Sequence, residues 1–440
     1  MGKNNKIQKY GKSLDFLNPC GNKNGKRLKL PHGFEIANAI SRGISVIPNL
    51  FRNLVEKGEN MKNKWQTVKL GDVCEIQSGG TPSRSKNEYW KNGNIPWVKI
   101  GDFSGKYLNR TAEHITKQGL DNSSTKLFSK GTILYSIFAT LGETTILNID
   151  ATTNQAIAGI KIKDKSMIDT DYLFTYLLSL KEEVNRIGRG VAQNNINLSI
   201  LKSFTIPLPP LETQQKIAAV LDKAQKIMSE SKATLEKYDT LIKSRFIEMF
   251  GNIELTPQKR DWKELKEITK IFTGTTPSTT DEENWNGTIL WITPAEMTSD
   301  SFMIYDTKRK ITEKGRSSKS LDIMPIGTVL LSTRAPIGKT GIVGNPMTCN
   351  QGFKNFLCNS KKLNPIYLYI LLRNNTVFLN SKGSGTTFKE LSKSVIEKIK
   401  IPIPPLTLQT QFADFVQQID KSKFEIANSL KRLYNKGMLS

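Results

Sequence analysis

The 440 residues, 38% apolar and 8% aromatic, can fill two to four domains and are too apolar for a wholly disordered chain. Sixty-four Lys and Arg against 40 Asp and Glu give a net charge of +24, an excess that attracts polyanions, DNA or RNA before anionic lipid. No uninterrupted apolar run approaches the roughly 18 residues of a membrane span, so a membrane is not an expected partner.

Residues 1–60 are rich in Lys, Asn and Gly and carry 11 Lys/Arg against 4 Asp/Glu, or +7 of the total. They read as a poorly ordered basic extension, with a nucleic-acid arm as the alternative. Ile44 to Val55 is mildly apolar but is interrupted by Pro48, Asn49, Arg52 and Asn53, so it is no secretory leader. Met61 opens a domain-like segment and is a second candidate translation start beside Met1. Cys20, Cys74, Cys349 and Cys358 form no CxxC pair, and His32 and His114 lie far apart. Free thiols in a reducing cytoplasm follow, and neither a zinc site nor a His-dependent triad is expected.

The chain then repeats itself. Ser78-Gly79-Gly80-Thr81-Pro82-Ser83 returns as Thr273-Gly274-Thr275-Thr276-Pro277-Ser278, Trp90 as Trp285, Ile95-Pro96-Trp97 as Ile289-Leu290-Trp291, and Gly131-Thr132-Ile133-Leu134 as Gly327-Thr328-Val329-Leu330. Asn154-Gln155 returns as Asn350-Gln351, Tyr172-Leu173 as Tyr367-Leu368, and Ile206-Pro207-Leu208-Pro209-Pro210-Leu211 as Ile401-Pro402-Ile403-Pro404-Pro405-Leu406, with Gln214 matching Gln409. A shift held within two residues of 195 over so many matches means two copies of one unit, not a solenoid. Each copy starts with a mixed part (61–205 and 252–400) of short β-rich runs and Gly, Pro and Asn turns. Thr132 to Phe138 and Thr328 to Ser332 are predicted buried strands, and Tyr172 to Leu180 and Tyr367 to Leu372 short helices.

A long helix is predicted after each Pro-Pro pair, at 206–251 and 401–440, because Pro is tolerated at a helix start and no Pro or Gly follows until Gly251 in the first copy. Leu221, Ala224, Met228, Ser231, Leu235, Tyr238 and Ile242 step by three and four, the spacing of a coiled-coil seam. Phe412, Phe415, Ile419, Ser422, Ile426 and Leu433 form a second such stripe. The fold expected is α+β: two repeated mixed α/β domains separated by two long antiparallel coiled-coil helices, with pseudo-twofold symmetry.

This order of globular part, Pro-Pro, long helix, twice over, resembles the specificity subunit of a type I restriction–modification system. The resemblance rests on Gly79-Gly80-Thr81-Pro82-Ser83, Gly274-Thr275-Thr276-Pro277-Ser278, both Pro-Pro-Leu-x-x-Gln boxes and Ser332-Thr333-Arg334-Ala335-Pro336-Ile337-Gly338, and runs from about Trp65 to the C-terminus. It implies two target recognition domains, each reading one half of a split, asymmetric sequence in double-stranded DNA. It implies helices that space the domains and dock two methyltransferase subunits, through seam residues such as Leu221, Met228, Leu235, Ile242, Phe415, Ile419 and Ile426. Restriction–translocase subunits would join the larger complex. The subunit itself would carry no catalysis, cofactor or metal and would act in the cytoplasm.

Candidate DNA contacts follow from residue chemistry. Thr81, Ser83, Thr276 and Ser278 lie in Gly-Pro loops that could approach phosphates, the rival reading being a turn kept by duplication. Arg84 has no basic match in the second copy, where Thr279 to Glu283 turns polar and acidic. Arg334 stands where the first copy has Phe138, and a guanine contact competes with a structural salt bridge. Arg189, between Gly188 and Gly190, marks a turn near DNA, because neither GxGxxG nor GxxxxGK[ST] is present. The paired Asn154-Gln155 and Asn350-Gln351 suit bonding inside the domain, since readers of different half-sites should differ.

Two rival functions fit the sequence less well. A DNA-modifying enzyme needs a constellation the sequence lacks: Asn364-Pro365-Ile366-Tyr367 resembles an amino-methyltransferase motif, but Asp169-Thr170-Asp171-Tyr172 at the matching place makes both helix N-caps. Glu264-Leu265-Lys266 has a nuclease-like pattern without partner carboxylates. A coiled-coil adaptor without DNA binding leaves unexplained the +17 outside the first sixty residues.

Overall fold

The computed structural model describes Phe51 and residues 65–188, 195–255, 262–298, 301–334, 336–384 and 389–439. They divide into two compact units, one within 35–232 and 428–440, the other within 233–427. Arg189 and Cys20 lie outside the described residues.

In the first unit a five-stranded sheet runs in the order Cys74–Ser78, Ile157–Ile162, Ile133–Ser136, Thr144–Leu147, Tyr107–Leu108. A second sheet runs Glu113–Ile115, Ile95–Val98, Ala151–Thr153, Leu127–Phe128, and Gln66–Lys69 pairs antiparallel with Thr205–Leu208. Ile133–Ser136 is buried at every position because both of its faces are covered. Ile133 and Tyr135 point into a core built with the helix Thr170–Ser179, and Leu134 into a second core with Val98, Phe128 and Ala151.

The other unit repeats this plan. Its sheet order is Thr269–Thr273, Lys354–Cys358, Val329–Leu331, Thr340–Val343, Met303–Ile304, with a three-stranded sheet of Arg309–Ile311, Trp285–Ile292 and Met347–Cys349. Val329 and Leu331 face the helix Pro365–Asn374, and Leu330 faces the second core. The two predicted strands and short helices fall within a few residues of their expected places. Asp169 and Asn364 are the helix N-caps, each side chain accepting a backbone N–H.

Two long helices follow the Pro-Pro pairs, Leu211–Phe250 with 40 residues and Leu406–Leu439 with 34. Gly251 ends the first with φ +82°, and its N–H donates to Ile247 O at 2.8 Å. One buried glutamine ties each helix to its globular part. Gln214 Nε2 donates to Met167 O and Pro209 O, both at 2.9 Å, and its Oε1 accepts from Asp169 N at 2.8 Å. Gln409 does the same with Lys362 O (3.1 Å), Pro404 O (2.7 Å) and Asn364 N (2.8 Å). Tyr172 and Tyr367 add hydroxyl bonds to Pro207 O and Pro402 O.

The seam residues expected to dock partners face inward. Leu221 and Met228 pack on the core of the first unit, and Ile242, Phe415 and Ile419 on that of the second. Leu235 and Ile426 are half-buried. The apolar surface of the five packed residues is therefore used within the chain, and these helices expose other apolar side chains, such as Val220, Leu241, Ile247 and Leu408. Within the 233–427 unit the helices run antiparallel, since Phe246 meets Phe412 while Asp239 meets Lys423. Asp239 lies 2.8 Å from Lys423 Nζ and 3.6 Å from an Arg373 nitrogen. Among the described residues no helix is long and apolar enough to cross a membrane.

Two stability predictions follow. Gln214→Leu leaves one N–H and two carbonyls without their partner, at about 1–3 kcal/mol per stranded group. Chemical denaturation should show a loss of about 2 kcal/mol or more, and Gln409→Leu should behave likewise. Burial pushes the Asp420 carboxyl up to about 6, against the opposing pull of Lys423. The folded form therefore holds this proton more tightly than the unfolded chain, and stability is lost as the pH rises from the ordinary carboxylate range to about 6, above which the cost is constant. Asp420→Asn should melt higher than the parent at pH 8, with the gap closing as the pH falls through 6 and absent near pH 4.

Candidate nucleic-acid interface

Each Gly-Thr-Pro-Ser loop sits on a pair of perpendicular tryptophans. Trp90 and Trp97 meet edge to face at 5.0 Å and 89°, and Trp285 and Trp291 at 5.1 Å and 85°. Their indole N–H groups hold the loops: Trp90 donates to Ser83 O (3.1 Å) and Trp97 to Gly80 O (3.0 Å), while Trp285 donates to Ser278 O (2.9 Å) and Trp291 to Thr275 O (3.2 Å). A Cβ on Gly79 would come within 2.0 Å of Thr153 Oγ1, and one on Gly274 within 1.9 Å of Cys349 O. Glycine is required there because the loop presses directly on a strand.

The loop hydroxyls are turned to the same end. Thr81 Oγ1 donates to Gln155 Oε1 at 2.5 Å, and Thr276 Oγ1 to Gln351 Oε1 at 2.7 Å. Asn154 and Asn350 accept the backbone N–H two residues on. Ser83 shares a hydrogen bond with Ser85, and Ser278 with Thr280, at the exposed tips. Thr81 and Thr276 thus serve loop geometry first. Ser83 and Ser278 are exposed and within reach of a ligand.

The arginines occupy specific places. Arg84 stacks on Trp90, its guanidinium carbon 3.6 Å from the ring centroid, and Nη1 lies 2.6 Å from Glu113 Oε2. Glu113 is also paired with Lys99, and Lys99 first, then Arg84, holds its carboxyl below the usual range. Arg334 Nε donates to Glu390 Oε2 at 3.0 Å, so its structural salt bridge is realised. Phe138, at the equivalent position of the first unit, is 46% exposed. Burial depresses Lys354, whose nearby cations include Arg334 and Lys393.

One residue was missed by sequence reasoning. Arg309 stacks on Trp285 at 3.5 Å, occupying in the second unit the place Arg84 takes in the first. Its strand register opposite Trp291 is that of Glu113 opposite Trp97, so the signal was a charge reversal between the copies.

Among the described residues no group of His, Cys, Asp and Glu could hold a metal ion. Cys74, Cys349 and Cys358 are free, and burial pushes the Cys74 and Cys349 thiols up to about 12, far from a reactive thiolate.

A duplicated α/β unit, each copy tied to a long helix and carrying a tryptophan pair with a stacked arginine, defines the class. The chain belongs to the family of the type I restriction modification DNA specificity domain, matched over residues 62–237 and again over 259–433. It is 36% identical over 185 residues to the type I restriction enzyme MjaIX specificity subunit of Methanocaldococcus jannaschii, covering 41% of this chain and 43% of that one. It is 28% identical over 181 residues to the EcoR124I/EcoR124II specificity subunit of Escherichia coli, covering 40% and 44%. These alignments span less than half the length of those relatives. A crystal structure of a type I restriction–modification S subunit from M. genitalium shares the fold, with a TM-score of 0.56 at 15% identity over 86% of this chain and 96% of that one.

If Gln155 and Gln351 fix the loops, Gln155→Ala and Gln351→Ala should each speed amide hydrogen exchange across residues 79–83 or 274–278 in the affected copy only. The loss expected is about 1 kcal/mol of local protection.

Proposed function

We infer that the chain is a sequence-specific DNA-binding specificity subunit of a type I restriction–modification complex. It reads a bipartite, asymmetric target in double-stranded DNA, one half-site per repeated unit. It docks methyltransferase subunits and, in the full complex, restriction–translocase subunits, all in the cytoplasm, and performs no catalysis itself. The observation that carries this reading is the contrast between the copies. Residues that hold the loops are the same in both, whereas their neighbours differ: exposed Arg84 against Thr279, exposed Phe138 against Arg334, and half-buried Glu113 against exposed Arg309. Equal frames with unequal exposed chemistry suit two readers of different sequences. The net charge supplies the counterion-release contribution common to DNA binders.

The test is co-expression with a methyltransferase subunit from the same genome, followed by base-resolved mapping of methylated DNA. A split motif with a fixed gap, lost when this chain is omitted, is expected. Modification at an unsplit motif, or modification that persists without the chain, would overturn the reading.

A further inference from the structure

The two tryptophan pairs carry the same cation by different routes. In the first unit it comes from the loop, as Arg84, and is partnered by Glu113 and, through Glu113, by Lys99. In the second it comes from the strand Arg309–Ile311, and the positions of Arg84 and Lys99 are taken by Thr279 and Thr293. Lys99 and Thr293 are equivalent because each precedes a short 3-10 helix closed by a capping box, to Asp102 and to Glu296. Arg84, Lys99 and Glu113 sum to +1 in one copy, and Thr279, Thr293 and Arg309 to +1 in the other, with one guanidinium over each indole pair. Inheritance of a packing contact would keep the same residue. Here the residue changed while the guanidinium, its stacking and the local charge were retained.

The two sites differ in availability. Arg309 is exposed, and among the described residues no carboxylate pairs with it. The indole covers one face of its guanidinium, 3.5 Å away at Trp285 and 5.4 Å at Trp291. The N–H donors lie in the guanidinium plane and stay open to solvent. A planar cation fixed on a ring and left unpaired offers a preorganised two-pronged donor, whereas Arg84 has one prong occupied by Glu113.

We propose that Arg309 is a DNA-contacting residue of its unit, donating in plane to a pair of acceptors on the duplex, and that Glu113 restrains the equivalent Arg84 in the other. The acceptors are either two phosphate oxygens or the O6 and N7 edge of guanine, which share this geometry. The proposal rests on the DNA-binding reading above.

The test uses the full chain and a pool of mixed-sequence duplexes, read by titration at several salt concentrations and by sequencing the bound fraction. A phosphate contact predicts that Arg309→Ala lowers the slope of log K against log salt by roughly 0.9 without changing the selected motif, and that Arg309→Lys restores the slope. A guanine contact predicts that both variants lose the guanine preference at one position of one half-site. Glu113→Gln should steepen the salt slope by freeing Arg84 and Lys99. A folded Arg309→Ala protein, matched to the parent by thermal melting, with unchanged slope and unchanged motif would overturn the assignment. An unchanged slope in Glu113→Gln would overturn the restraint. Parent protein without salt-dependent binding would overturn the DNA reading and this inference together, so the two failures are distinguishable.

Discussion

The arrangement of each unit depends on one buried side chain. Gln214 and Gln409 are both fully buried, and each makes three hydrogen bonds that join the last β-strand of the domain, the start of the short helix and the start of the long helix. An amide alone supplies two donors and an acceptor in one plane, so neither Glu nor Leu can replace it. The prolines before it remove backbone donors and prevent the chain from continuing as strand or helix. Their carbonyls are then free to accept from the glutamine. The Pro-Pro-Leu-x-x-Gln box is a joint with a set angle rather than a hinge.

The tryptophan pairs apply the same logic to the loops. Each indole N–H is used on a loop carbonyl, and Thr81 and Thr276 each on a glutamine of the neighbouring segment. A surface loop held at several points can change its exposed residues without losing its path. That separates structural from exposed positions along the same short segment, and it explains how Ser83 and Ser278 stay exposed while Thr81 and Thr276, two residues earlier, do not.

The architecture was largely legible in the sequence because a duplication doubles every signal. The strands, the helix caps at Asp169 and Asn364 and the Pro-Pro helix starts all recur in register. The seam of the long helices was legible too, but its purpose was not. A three-four stripe shows that a face is buried and not by what, and Leu221, Ile242 and Ile419 prove to be buried by their own chain. The site was legible only in part. Arg84 and Arg334 were recognised as cations near loops, but their partners Glu113 and Glu390 lie 29 and 56 residues away, and only folding brings them together. Arg309 belongs to none of the motifs repeated between the copies, and its significance lies in replacing an acid at a matched position.

That replacement bears on how such a frame diversifies. Exchanging Glu113 for an arginine in a copy that kept Arg84 would set two guanidinium groups against one tryptophan pair, and their repulsion would disfavour the combination. The loop cation and the strand cation are therefore alternatives, coupled through the indoles they share. A change at the strand allows a neutral loop residue such as Thr279, and the loop tip becomes free to take up other polar chemistry. In this chain the linked exchange keeps a guanidinium stacked on each tryptophan pair, from Arg84 in one copy and Arg309 in the other, while the donors around it change.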